Sequence, residues 1–204
     1  MAAGQVNSPT RIVPGWALAS AALAPVALIG GWTLAASRQP GHFSPVRQTI
    51  SALAAHGATD RWIMTAGLAA LGACHLVTAM GLRPAERAGR WLLAAGGLAT
   101  AVVAAAPQPE HGSAPLHLAA AGAGFVSLSL WPVFAAGGAE PFVLRRRAGL
   151  GVTAVLLVLL GWLAFEIGDD HLVGLSERVL AGAQALWPLV VVLTLRASTA
   201  KMVG

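Results

Sequence analysis

Six apolar stretches, each close to the length of a bilayer crossing, leave this chain few folds to choose from. They run over residues 14–36, 62–82, 91–106, 116–136, 148–167 and 179–195. A hydrocarbon core of ~30 Å takes ~20 residues of helix. Lipid offers the backbone no hydrogen bonds, so runs of this length satisfy themselves as helices. The expected fold is an all-α integral membrane protein, a six-transmembrane-helix bundle. Composition argues the same way, since charged residues make up 10% of the chain against about 25% in soluble domains. The third stretch is held between Arg90 and Pro107. It would cover only ~24 Å at 1.5 Å per residue, so it is expected to draw its polar ends inward. Arg11 precedes the first stretch as it would a signal peptide. That apolar run exceeds the ~7–15 residues of such a segment, so it reads as retained.

The basic residues orient the bundle. Arg11, Arg83, Arg87, Arg90, Arg145, Arg146, Arg147, Arg196 and Lys201 fall on one side of the six crossings, and Arg38, Arg47, Arg61 and Arg178 on the other. The positive-inside rule then places both termini in the cytoplasm of a multi-pass plasma-membrane protein. A single domain over 12–196 sits between short cytoplasmic tails, 1–11 and 197–204. The formal charge of +5 does not point to nucleic acid, because the arginines flank apolar runs as topology signals do. Cys74 is the only cysteine, which excludes an internal disulfide. Glycines such as Gly72, Gly96 and Gly97 allow close helix packing and weigh against a wide pore.

Between the first two crossings the chain keeps a polar-leaning stretch, 41–61, outside the bilayer. Ser44 followed by Pro45 is a helix start. Val46, Ile50 and Leu53 then share one face, with Arg47, Gln48 and Ser51 on the others. This spacing predicts a short amphipathic interfacial helix over 44–55, lying along the membrane surface.

Most groups able to do acid–base or metal chemistry gather on that same outward side. They include Asp60, Glu110, Asp169, Asp170, Glu177, His42, His56, His111, His117 and His171. The six-residue step from His111 to His117 turns a helix by ~240°. His111 is therefore expected in a loop and His117 in the first turn of the fourth helix. With Asp60, His42 or His171 they form a donor set suited to a divalent metal such as zinc. The plainer reading is a group of solvated or helix-capping residues, since a tight His-Glu-x-x-His spacing is absent. Candidate catalytic residues are His111, His117, Asp60 and Ser51. No Gly-x-Ser-x-Gly motif singles out Ser51. Glu166 and Arg178 lie near a helix end, where a Glu166–Arg178 or Glu177–Arg178 contact is expected to pin the last hairpin. His75 sits alone at membrane depth. A hydrogen-bonded neutral imidazole is its simplest role, because haem would need a second axial ligand at that depth and only a methionine such as Met80 is at hand.

The run Ser44-Pro45-Val46-Arg47-Gln48-Thr49-Ile50-Ser51-Ala52-Leu53 resembles the bacterial membrane proteins grouped as domain of unknown function 998. So do the tryptophan opening the second helix, the proline ending the third and the histidine opening the fourth. Gly174-Leu175-Ser176-Glu177-Arg178, ahead of the last helix, completes the likeness over about residues 12 to 196. The resemblance implies six membrane helices and transfers no activity. It marks Arg47, Thr49, Ile50, Ser51, His117, Glu177 and Arg178. Two departures stand out: relatives often carry an acid where Gln48 stands, and another where Gln108 and Pro109 follow the helix-three proline.

These readings converge on a membrane protein whose outward face binds, or processes, a polar or lipid-derived ligand. Arg47, Thr49, Glu166 and Arg178 are the candidate ligand-binding residues, with Arg47 placed to meet a lipid phosphate. His111, His117, His42 and His171 are the candidate metal ligands. Two alternatives belong to other classes. One is a small proton-coupled transporter using His75 and Glu166; the other is a non-catalytic assembly or scaffold subunit docking through the outer segment.

Overall fold

The computed structural model describes residues 12–41, 43–109, 114–137, 141–169 and 171–203, and every regular element among them is helical. Six helices are long and apolar enough to cross a membrane: α1 (Gly15–Ser37), α2 (Trp62–Gly81), α3 (Arg87–Ala105), α4 (Pro115–Ala135), α5 (Arg146–Asp169) and α6 (Val173–Val203). Short 3-10 turns, Ser51–Ala54 and Phe142–Leu144, interrupt two of the connections. Pro25 lies inside α1, where its ring blocks one intrahelical bond. The chain answers with a π turn over Val26–Gly30 before the α-helix resumes.

Two boundaries differ from the hydropathy pattern, and both differences matter later. The third helix starts at Arg87 rather than 91, which makes it about 28 Å long at 1.5 Å per residue. It is no shorter than its neighbours need, because arginine stems let a helix run past the hydrocarbon with their charges in the interface. The sixth begins at Val173 rather than 179. Gly174 to Arg178 are thus its first turns and not a lead-in.

Each helix packs on the helix before and after it, and α6 closes against α1. A close crossing joins α2 to α3 at glycine. A Cβ on Gly72 would stand 2.6 Å from the Gly97 carbonyl, and one on Gly97 would stand 2.7 Å from the Gly72 carbonyl. In a membrane it is such close packing, rather than exclusion of water, that holds helices together. Two cores result. Towards the chain termini, Leu82, Leu93, Trp131, Val143 and Leu195 fill the centre. Towards the 38–61 connection, Leu28, Ile50, Leu53, Met64 and Leu71 do so. Large apolar side chains such as Val158, Phe165 and Ile167 of α5 remain exposed, as expected of a lipid-facing surface.

The 44–55 stretch forms no surface α-helix. Only Ser51–Ala54 makes a 3-10 turn, and Ile50, Ser51, Leu53 and Ala54 are buried while Val46 is exposed. Side chains compete for its backbone: Gln48 Oε1 accepts from Ser44 N at 2.8 Å and Thr49 Oγ1 from Ala52 N at 3.1 Å. The segment folds into the end of the bundle rather than along the membrane.

Candidate functional site

The sequence of α6 opens Val173-Gly174-Leu175-Ser176-Glu177-Arg178, and these first turns tie down the 43–50 stretch. Leu175 N donates to the Val46 carbonyl at 3.0 Å. Arg178 Nη1 reaches three carbonyls, those of Gln48 at 2.7 Å, Pro45 at 2.8 Å and Gly174 at 2.9 Å. Its guanidinium also lies 5.9 Å from the ring centre of Trp32 and 6.0 Å from that of Phe43. Beside it, Glu177 Oε2 accepts a hydrogen bond from Ile50 N. Glycine is required at 174, because a Cβ there would collide with the carbonyls of Gln48 and Pro45. Charge-assisted bonds to carbonyls and amides are stronger than neutral ones, and here four bonds, three of them charge-assisted, join α6 to the 43–50 stretch as one clasp.

Beneath the clasp lies a cavity of about 60 Å³, with Ile50 and Ser51 at its roof. α1, α2, α3, α4 and α6 all contribute to its wall, and no lining residue comes from α5. The polar lining consists of Ser51, His75, Thr100, Glu177 and Gln184, set among apolar groups such as Leu28, Leu71, Phe125 and Leu128. His75 lies about 20 Å below the start of α2 at 1.5 Å per residue. It is 1% exposed and its Nδ1 has no hydrogen-bond partner, where the sequence suggests a bonded imidazole. Gln184 Nε2 donates to the Phe125 carbonyl at 2.9 Å and to Ser129 Oγ at 3.0 Å. This bond pair ties α6 to α4 and fixes the amide with its oxygen still available. Thr100 gives its proton to the Gly96 carbonyl at 2.9 Å, so its hydroxyl presents lone pairs. The chamber therefore offers mainly acceptors.

The residues singled out by sequence scatter around this site. Ser51 joins it. Thr49 spends its hydroxyl on the local turn, and Arg47 is exposed on the clasp segment. His117 is buried in the first turn of α4, as its spacing requires, and donates from Nδ1 to the Ala106 carbonyl at 2.8 Å. That bond braces the α3–α4 turn. Asp60 is an exposed turn residue with φ of 49°, and His171 is exposed between α5 and α6. His42 and His111 lie outside the described residues. Among the described residues no three of His, Cys, Asp and Glu converge as a metal group would.

Glu166 is buried away from the chamber. Its Oε1 accepts from Trp162 Nε1 at 3.0 Å and its Oε2 from Leu172 N at 2.8 Å, so it closes the α5–α6 turn. Of the expected Glu166–Arg178 and Glu177–Arg178 contacts, the charges of Glu177 and Arg178 do interact, while the hydrogen bonds of Arg178 go to carbonyls that its position in the first turns of α6 brings within reach. Gln184 and Thr100 carried no weight in the sequence reading. A polar amide in the middle of an apolar run was the available signal for Gln184.

The chain belongs to the family described as protein of unknown function DUF998, whose model matches residues 22–194. Comparisons with curated proteins and with solved structures give no match.

Proposed function

We propose that this membrane protein binds a small, donor-rich polar solute of the ammonium class in the chamber beneath the clasp. The observation that carries the reading is the convergence of Glu177, Gln184 and His75 on one cavity inside the helix bundle. Ionisable side chains within a membrane bundle are costly and face functional cavities by default. The hydrogen-bond inventory selects the ligand. Glu177 Oε2 and Gln184 Nε2 are already committed to the protein, which leaves the second carboxylate oxygen, the amide oxygen and the Thr100 lone pairs pointing to a donor. A volume of about 60 Å³ suits a few waters or a solute of similar size. The clasp is the way in, because its hold on α6 consists of directional hydrogen bonds from Arg178, Glu177 and Leu175. Towards the termini the centre is filled by Trp131 and leucines, which favours a binding protein over a carrier.

Thermal unfolding of the detergent-solubilised chain tests this. Ammonium and methylammonium chloride are compared with choline chloride at equal ionic strength, choline being too large and lacking N–H donors. At a hundredfold excess over Kd, binding stabilises by about 2.7 kcal/mol, a Tm rise of roughly 5–10 °C for a chain of this size. Gln184→Leu should remove the rise. Superimposed ammonium and choline curves for the wild type would end the proposal.

A further inference from the structure

The α2–α3 seam does something else. The helices approach closely at Gly72 and Gly97, and one groove lies at each end of the seam. At the connection end a groove of about 530 Å³ includes Arg61, Trp62, Ala69 and Ala104. At the termini end one of about 300 Å³ is lined by Ala79, Met80, Arg87, Arg90, Trp91 and Ala94. We propose that the termini-end groove is a seat for an anionic phospholipid.

Three features of that groove select this occupant. Arg87 and Arg90, both on α3, line the same groove. Arg90 is fixed there, donating from Nε to the Ala79 carbonyl at 2.9 Å and from Nη2 to the Met80 carbonyl at 3.1 Å. Its charge is thus aimed rather than free to swing away. Below the charges the wall is apolar: small Ala79 and Ala94 make the floor, and Met80 and Trp91, the latter 75% exposed, make the sides. A phosphate between two arginines with an acyl chain along an alanine floor fills both parts. A free phosphate would satisfy only the first. Tryptophan at the polar–apolar boundary marks the depth at which a glycerol backbone lies. The connection-end groove provides the contrast: its Arg61 stacks on Trp62 with 3.9 Å to the ring centre and follows the exposed Asp60, so it holds no net pair of positive charges.

Native mass spectrometry of the full chain, released from mild detergent with equimolar phosphatidylglycerol and phosphatidylcholine, reads the seat directly. One phosphatidylglycerol should be retained in preference, by roughly 5-fold per engaged arginine. Arg87→Gln should lower that preference about 5-fold. Arg87→Lys should keep most of it, and Arg61→Gln should keep all of it. Excess inorganic phosphate should leave the lipid bound. Arg87 is exposed, so its variants should fold as the wild type does, and an unchanged Tm verifies that. Equal retention of the two lipids by the wild type, an unaltered preference in Arg87→Gln, or displacement by inorganic phosphate would each overturn the proposal.

Discussion

Towards the termini, the helices close around Trp131, which is 0% exposed and surrounded by leucine, valine and alanine. Towards the connection, the same helices part around a cavity with five polar side chains, and a folded-in loop shuts it. One end is sealed by packing; at the other, packing of Ile50 and Leu53 is joined by directional bonds from Arg178 and Glu177. Packing is spread over many weak contacts and fails all at once; a clasp of hydrogen bonds can open locally while the helices stay where they are. The division sets a packed base against a lid held partly by hydrogen bonds, which is the arrangement the proposed solute site would need.

Emptying the base should have the largest effect. Trp131→Ala removes a fully buried ring and should cost on the order of 3 kcal/mol, mostly as an unfilled cavity. That corresponds to a fall in Tm of roughly 6–12 °C. Trp131→Phe should cost less than about 1.5 kcal/mol, because the indole Nε1 has no hydrogen-bond partner to lose. A Trp131→Ala protein melting within about 2 °C of the wild type would show that the termini end is not the rigid half.

Releasing the clasp should come next, and its signature should be local. Arg178→Met loses three bonds to carbonyls, worth about 2 kcal/mol together after the exchange with water is counted. Amide hydrogen exchange should accelerate at Ile50 and Leu175, whose N–H groups close the clasp. Exchange at Leu93 and Trp131 should not change. Gly174→Ala should act on the same amides by pushing the Gln48 and Pro45 carbonyls away. Faster exchange throughout the bundle in either variant would mean that the two halves are one cooperative unit.

A smaller effect is expected at the α3–α4 turn, where His117 donates to the Ala106 carbonyl. His117→Ala should cost about 1 kcal/mol. Because His117 does not line the chamber, the ammonium response of this variant should match the wild type. A lost response would move the site towards the histidine-rich end loops.

The six crossings were legible because apolar run length is a one-dimensional property, and arginine spacing supplied the turns between them. The chamber was not, for a physical reason. Ser51, His75, Thr100, Glu177 and Gln184 come from three helices and a loop, and nothing in linear spacing reports which helix faces meet. The 44–55 stretch misled for a related reason. Its Val46–Ile50–Leu53 spacing fits an α-helix, but the carbonyls of Pro45 and Gln48 are claimed by an arginine more than a hundred residues away. The motif resemblance came closer than the spacing did. It marked Ile50, Ser51, Glu177 and Arg178, which the fold brings together as clasp and roof.

Arg47 is where that resemblance and the structure diverge, and the smallest expected effect decides between them. It lies inside the marked run, yet its side chain is exposed on the clasp while the backbone around it makes the bonds. If the run is kept together by what its carbonyls do, Arg47→Ala should change stability by no more than about 0.5 kcal/mol. It should also leave exchange at Ile50 and Leu175 at the wild-type rate. A slower-opening or faster-opening clasp in that variant would mean that the guanidinium of Arg47 holds the lid as well as the amides beneath it. The releasable end would then be fastened from the membrane surface and not only from α6.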